Sequence, residues 1–325
     1  MSHREITYTQ AINEALREEM QRDERVFIMG EDIAEHGGPF GVTRDLWKEF
    51  GKKRVRNTPI SEAAIVGAGI GAALCGLRPV VEIMFIDFAT LAMDQIVNQA
   101  AKLRYMSGGM LKVPIVIRTQ GGGGRGNAAQ HSQSLEAWFV HIPGLKVIMP
   151  STPYDAKGLL KAAIRDDNPV VFIEHKLLYP VKGPVPEEEY VLPIGVADIK
   201  RHGDDVTIVA TSRMVLLAME AAARLQEEGI SVEVVDPRTL KPLDIDTIVN
   251  SVQRTGRAVV VVEGHRTCGF ASELATRIME KAFDYLDAPI QIVAGKDVPI
   301  PYAQNLERAA LPQVEDIISA VKSIL

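Results

Sequence analysis

Glu62 follows Thr58-Pro59-Ile60-Ser61 and opens a stretch in which no residue from Ala63 to Leu77 carries a charge. A carboxyl group at the mouth of an apolar helix is poorly solvated, and poor solvation favours the neutral, proton-carrying form of a carboxylic acid. Such a group can hold or share a proton near neutral pH. The same residues also fit a plain helix start, with Ser61 as N-cap and Glu62 answering the helix dipole in the first turn. Local pattern leaves both readings open. His131, in Gln130-His131-Ser132-Gln133-Ser134, is the best candidate in the chain for a proton shuttle, with a structural role as its alternative. It follows Gly121-Gly122-Gly123-Gly124-Arg125-Gly126, whose amides could cradle phosphate, although the Lys-Ser/Thr of a phosphate loop is missing. A mobile loop beside a site is the expectation there.

Other motifs carry less. Gly67, Gly69 and Gly71 imitate a dinucleotide fingerprint, but that motif opens a helix, and here the helix has already begun at Ser61. They read as small residues that allow close backbone packing. Glu82 interrupts an apolar strand and needs a partner, for which Arg78 and Arg118 both qualify. Ser132 and Ser134 lack a nucleophile elbow, and no set of His, Cys or carboxylates has zinc spacing.

The elements that must position these groups alternate β-branched runs with helical periods, the signature of parallel sheets covered by helices. Helices are expected over 8–21, from Ser61, over 89–106 and over 153–165, with strands over 25–29, 80–86, 113–118, 146–149 and 170–174. Residues 179–193 hold Pro180, Pro184, Pro186, Pro193 and a Glu187-Glu188-Glu189 run, and read as an inter-domain connection. Beyond it, strands over 206–210, 231–235, 258–262 and 290–293 alternate with helices over 214–228, 244–252, 270–282 and 314–324. The expected domains are 1–190 and 191–325.

A length of 325 residues suits two domains, each able to bury a core. With 46% hydrophobic and 24% charged residues and a net charge of −6, the chain has no general attraction for nucleic acid or anionic membranes. Cys75 and Cys268 suit a reducing compartment. The N-terminus has no apolar signal core, and the 63–77 stretch falls short of the roughly 20 residues that span a bilayer. A cytoplasmic protein is expected.

Several segments converge on one family. Thr58-Pro59-Ile60-Ser61-Glu62, Arg78-Pro79-Val80-Val81-Glu82-Ile83-Met84, Asp94-Gln95-Ile96, Asn98-Gln99-Ala100-Ala101-Lys102, Gln130-His131-Ser132-Gln133, Pro143-Gly144-Leu145-Lys146-Val147 and Pro150-Ser151-Thr152-Pro153 make the chain resemble the β subunit of the thiamine-diphosphate-dependent decarboxylating component of 2-oxo acid dehydrogenase complexes. The likeness continues through Asp236-Pro237-Arg238-Thr239 and Glu263-Gly264-His265. It implies an α/β fold with a transketolase-like pyrimidine domain on a parallel sheet, then a C-terminal transketolase-type association domain. It implies oxidative decarboxylation of a 2-oxo acid, pyruvate first, with acyl transfer to a lipoyl group. Glu62 would drive the cofactor's aminopyrimidine to its imino form through the ring nitrogen. Met84 and Phe88 would line the pyrimidine pocket, and His131 would face the reacting carbon. The backbone oxygens of Ile115, Ala163, Asp166 and Asn168 match positions that hold a structural potassium ion.

The chain has no Gly-Asp-Gly, the segment that in single-chain thiamine enzymes holds magnesium and diphosphate. The resemblance supplies both from an α subunit in an α2β2 heterotetramer, which docks on a lipoyl-bearing dihydrolipoyl acyltransferase core. Acetoin and branched-chain 2-oxo acid dehydrogenase β subunits are the nearest alternatives; Glu174-His175-Lys176-Leu177-Leu178-Tyr179 is reminiscent of the acetoin branch. A non-catalytic scaffold subunit is the alternative of a different class.

Overall fold

The computed structural model describes residues 3–325. The chain forms two compact units, one of residues up to Gly121 together with Trp138–Ile194, the other of Gly122–Ala137 and Gly195–Leu325.

The first unit is laid down as β1 (His3–Thr7), α1 (Tyr8–Arg22), β2 (Val26–Gly30), α2 (Leu46–Phe50), β3 (Val55–Asn57), α3 (Glu62–Leu74), β4 (Arg78–Ile83), α4 (Ala101–Met106) and β5 (Val116–Gly121). After α5 (Glu136–His141), whose first two residues group with the other unit, come β6 (Lys146–Ile148), α6 (Pro153–Arg165), β7 (Val170–His175) and β8 (Lys182–Pro186). Its parallel strands run in the order β6-β7-β5-β4-β2-β3. Every residue of β2, β5 and β7 is buried, as expected of strands covered on both faces. Helix α1 starts at a capping box in which Thr7 and Gln10 satisfy one another's backbone amides. Helix α6 starts at Thr152 with Pro153 in its first turn. Lys157, Lys161 and Arg165 of α6 pair with Glu14, Glu18 and Glu19 of α1, tying the two helices together.

Helix α3 lies close on the sheet because Gly69 has no side chain: a Cβ there would sit 2.7 Å from Val81 Cγ1 and 2.9 Å from Ile115 Cδ1. The packing role read for these glycines therefore holds at Gly69. The single helix expected over 89–106 is broken into a 3₁₀ segment Ile86–Ala92, a π-helical segment Gln95–Ala100 and α4. Its core residues Ile86, Ala89 and Ala92 recur every third position, the 3₁₀ period, and the wider π turn then brings Ile96 and Ala100 inward. Residues 179–193 are also more than a connection. They contain β8, antiparallel to β1, with Pro184 and Pro186 tolerated because this two-stranded pair is all edge.

The second unit carries β9 (Asp198–Arg201), β10 (Val206–Ala210), α7 (Arg213–Glu227), β11 (Val232–Asp236), β12 (Thr239–Lys241), α8 (Ile245–Thr255), β13 (Ala258–His265), α9 (Phe270–Ala282), β14 (Gln291–Gly295), α10 (Gln304–Ala310) and α11 (Val314–Lys322). Its sheet runs β14-β13-β10-β11-β9, parallel except for β9. Valines and isoleucines of β10, β11 and β13 pack with Met214, Ala218 and Leu225 of α7 and Ile317 and Val321 of α11. Both cysteines are free and exposed.

Candidate active site

The carboxyl ends of β2, β4, β5 and β7 gather one cluster, in the place where open parallel sheets bind ligands. Glu62 is the first residue of α3 and only 5% exposed. Ser61 occupies the N-cap position but makes no side-chain capping bond, so the simple capping arrangement is not formed. Thr58 donates its amide to the Gly30 carbonyl at 2.9 Å, which draws the strand leading to Glu62 beside the end of β2. There Glu31 is buried, its Oε1 without a partner. Burial, reinforced by the charges of Glu62, Asp32 and Glu82, raises the pKa of Glu31. Thr58 Oγ1 is also buried and unpartnered. A buried carboxyl neighbourhood with unmet polar atoms thus exists at this edge.

Beyond β4, Phe85 and Phe88 meet edge-to-face at 5.8 Å, and Phe40 approaches Phe85 at 6.1 Å. Phe40 also stacks on Tyr179 at 4.9 Å, while Lys176 Nζ lies 5.3 Å from the centre of the Phe85 ring. Gln120, with its amide oriented by its surroundings, donates to the carbonyls of Met84 and Ile83. Met84 and Phe88 are half-buried, leaving apolar surface for a flat ring. An unmet Glu31 oxygen at the end of β2 and aromatic rings beyond the end of β4 fit the polar edge and flat faces of an aminopyrimidine.

Beneath this layer lies a buried ionic network. Arg118 donates through Nη1 to Glu82 at 2.6 Å and through Nε and Nη2 to both oxygens of Glu174 at 2.7 and 2.8 Å. Tyr179 donates its hydroxyl to Glu174 at 2.7 Å. Of the two partners open to Glu82, the structure selects Arg118. Arg78 instead donates to the carbonyls of Ile164 and Asp166, both at 3.0 Å, and pairs with Asp167.

Of the four carbonyl positions, Ala163, Asp166 and Asn168 lie at the end of α6 and just after it, and the Asp166 carbonyl accepts from Arg78 Nη1 at 3.0 Å. Ile115 O accepts from Val170 N at 2.9 Å, and Ala163 O accepts from Asp166 N at 3.3 Å. Asn168 donates its amide and side-chain nitrogen to Asp166 Oδ1 and accepts from Arg104. Each carbonyl retains a second lone pair. Among the described residues, no group of three or more His, Cys, Asp or Glu is placed to hold a metal.

In the second unit His131 ends a 3₁₀ turn, Ala129–His131, and is half-buried. The glycine segment before it is not an open phosphate cradle. Gly123, Gly124 and Gly126 donate their amides to the carboxylates of Glu263 and Glu307. Alongside, Glu136 is buried with Oε2 unpartnered, and burial with the nearby Glu263 charge pushes its pKa up to about 7. On the far side of the loop Gln130 and Gln133 border a cavity faced by His265, Thr267 and Asp297.

Comparison with known proteins resolves the family. Residues 4–182 match the transketolase pyrimidine binding domain and residues 195–317 the transketolase C-terminal domain. The chain is 52% identical over 320 residues to the pyruvate dehydrogenase E1 component subunit beta of Rhizobium meliloti, covering 98% of this chain and 70% of that protein. The corresponding subunit of Rickettsia bellii is 51% identical with 98% of both chains covered, and mitochondrial subunit beta-1 of Arabidopsis thaliana is 50% identical with 89% of its length covered. This chain belongs to the E1 β-subunit family. A solved member of the wider fold, described as a split gene transketolase in an inactive beta4 tetramer, superposes with a TM-score of 0.80 at 26% identity over 98% of both chains. For this E1 β-family chain, among the described residues, no helix is long and apolar enough to cross a membrane. Glu31, Glu136, Glu263 and Glu307 were absent from the sequence-derived set. Glu31 had a signal, since it leaves a buried strand at Gly30; Glu307 had none, lying 181 positions from the amide of Gly126.

Proposed function

We propose that this chain is the β subunit of a pyruvate dehydrogenase first component, with 1–190 as its pyrimidine-side domain and 191–325 as its association domain. It builds half of a thiamine diphosphate site. The buried Glu62 carboxyl, whose charge helps raise the pKa of Glu31, together with the aromatic pair Phe85 and Phe88 beyond β4, carries the reading.

Bound thiamine diphosphate supplies the electron sink for decarboxylation. Glu62 would hold a proton against the ring nitrogen of the aminopyrimidine, and Glu31, whose pKa burial and the Glu62 charge raise, would disfavour a second full negative charge beside it. Met84 and Phe88 would line the pyrimidine pocket and exclude water. His131 orients the acyl acceptor and moves a proton during transfer to a lipoyl group. The α subunit of an α2β2 assembly supplies ligands for magnesium and the diphosphate, which this chain lacks. The carbonyls of Ile115, Ala163, Asp166 and Asn168 would hold a structural potassium ion. The assembly works in the cytoplasm, on a lipoyl-bearing acyltransferase core.

Glu62→Gln tests the reading, because it keeps shape and removes the exchangeable acid proton. Turnover of the α2β2 enzyme is expected to fall by roughly 100-fold or more, the range for losing a general acid or base, with assembly intact by gel filtration. Wild-type turnover in that variant would favour a scaffold role. Steady-state rates on pyruvate, branched 2-oxo acids and acetoin then assign the substrate, and a preference for acetoin would displace pyruvate.

A further inference from the structure

Residues 122–133 form an Ω-shaped excursion closed at its base, where the Gly122 amide donates to the Gln133 carbonyl at 3.0 Å. Gly122, Gly124 and Gly126 have φ of 87°, 92° and 68°, backbone values that L side chains rarely adopt. These turns converge neighbouring amides into a concavity suited to an anion. Two anions from the same unit fill it. Glu307 of α10 takes the Gly124 amide on Oε1 at 2.8 Å and the Gly126 amide on Oε2 at 2.9 Å. Glu263 of β13 takes the Gly123 amide on Oε1 at 2.7 Å, and the same oxygen accepts from Ser134 Oγ at 3.3 Å. Glu307 is 3% exposed and Glu263 6%, so neither bond competes freely with water. The loop is pressed against α10's end as well: a Cβ on Gly123 would lie 2.7 Å from Leu311 Cδ1.

We infer that Glu307, assisted by Glu263, is a positioning residue for His131. The two carboxylates are built-in anions that fix a glycine nest, and the loop they fix ends in the 3₁₀ turn that presents the imidazole. An E1 subunit needs a residue of this kind because seven backbone torsion pairs separate Gly124 from His131, and a glycine-rich segment left unanchored would spread that side chain over many positions. The inference rests on the proposed role of His131. Its structural half, the latch, is testable without that role.

Arg125 lies exposed between the two amides that Glu307 holds, so trypsin reads the latch directly. The α2β2 enzyme is digested with trypsin and the fragments 1–125 and 126–325 are followed by mass. Glu307→Gln leaves one acceptor oxygen and sets an amide donor against a backbone donor. It is expected to speed cleavage after Arg125 on the order of 10- to 100-fold, as loss of charge-assisted bonds to the loop dictates. The same variant is expected to lower kcat for lipoyl acylation while leaving KM for the 2-oxo acid within about twofold, since ground-state binding is untouched. Glu263→Gln should act in the same direction, and Arg308→Gln on the same helix should change neither readout. Cleavage at the wild-type rate in both Glu→Gln variants, with unchanged far-UV circular dichroism, overturns the latch. Faster cleavage with kcat intact overturns the positioning role. A fully active His131→Ala enzyme whose loop still resists trypsin would instead refute the role given to His131, which separates the two failures.

Discussion

Burial raises the pKa of Glu136 to about 7, with the Glu263 charge adding to it, and this makes the second unit's stability depend on pH. The folded form keeps a proton that the unfolded carboxyl releases near 4.5, so the stabilisation is complete below that value and is lost as pH climbs through about 7. Urea unfolding between pH 5 and 8 should therefore show stability declining with pH. Glu136→Gln should flatten that slope, on the order of 3 kcal/mol across the window; an unchanged slope would show that the carboxyl ionises freely. Arg118 poses the opposite problem, a buried cation between Glu82 and Glu174. Arg118→Met strands both carboxylates and should cost about 3–5 kcal/mol in urea denaturation. An equal loss in the Glu82→Gln, Glu174→Gln, Arg118→Met triple variant would place the damage in packing instead. At this scale the sequence singled out Glu62 and demanded a partner for Glu82, since both are charges in apolar runs. It could not choose between Arg78 and Arg118, because spacing does not say which guanidinium crosses from the neighbouring strand.

Among the elements, α3 is the one whose fit fixes Glu62. Gly69→Ala drives a methyl into Val81 and Ile115 and should destabilise by about 1–3 kcal/mol. Gly71→Ala meets nothing within 4 Å and should stabilise by up to about 1 kcal/mol through helix propensity. Thermal melts of the pair check both, and matching shifts would mean that the helix is not seated against the sheet. The strands and long helices were readable because their burial follows simple periods: β10 and α9 appear with the bounds that their composition suggests. The 86–106 region was not, because a change from 3₁₀ to π winding alters the period within one apolar stretch. β1 and β8 escaped because each is short and each acquires its partner from a stretch of chain far away.

For the molecule as a whole, the first unit exposes the large apolar side chains of Ile60, Tyr105, Met106 and Met110. The chain expressed alone should self-associate and give no decarboxylation with thiamine diphosphate and magnesium, and adding an α subunit should restore turnover. Appreciable turnover by the lone chain would defeat the half-site reading. Linear reading of the sequence set a single border near 190, whereas Gly122–Ala137 packs with residues beyond 195. That exchange is invisible in composition, because the segment's anchors are carboxylates far along the chain. It also sets a rule for dissecting the gene. A clone starting at residue 195 would encode Glu263 and Glu307 without the loop amides they answer. Mixing such a clone with its upstream counterpart should rescue it, two severed pieces knitting together through a loop that one lends to the other.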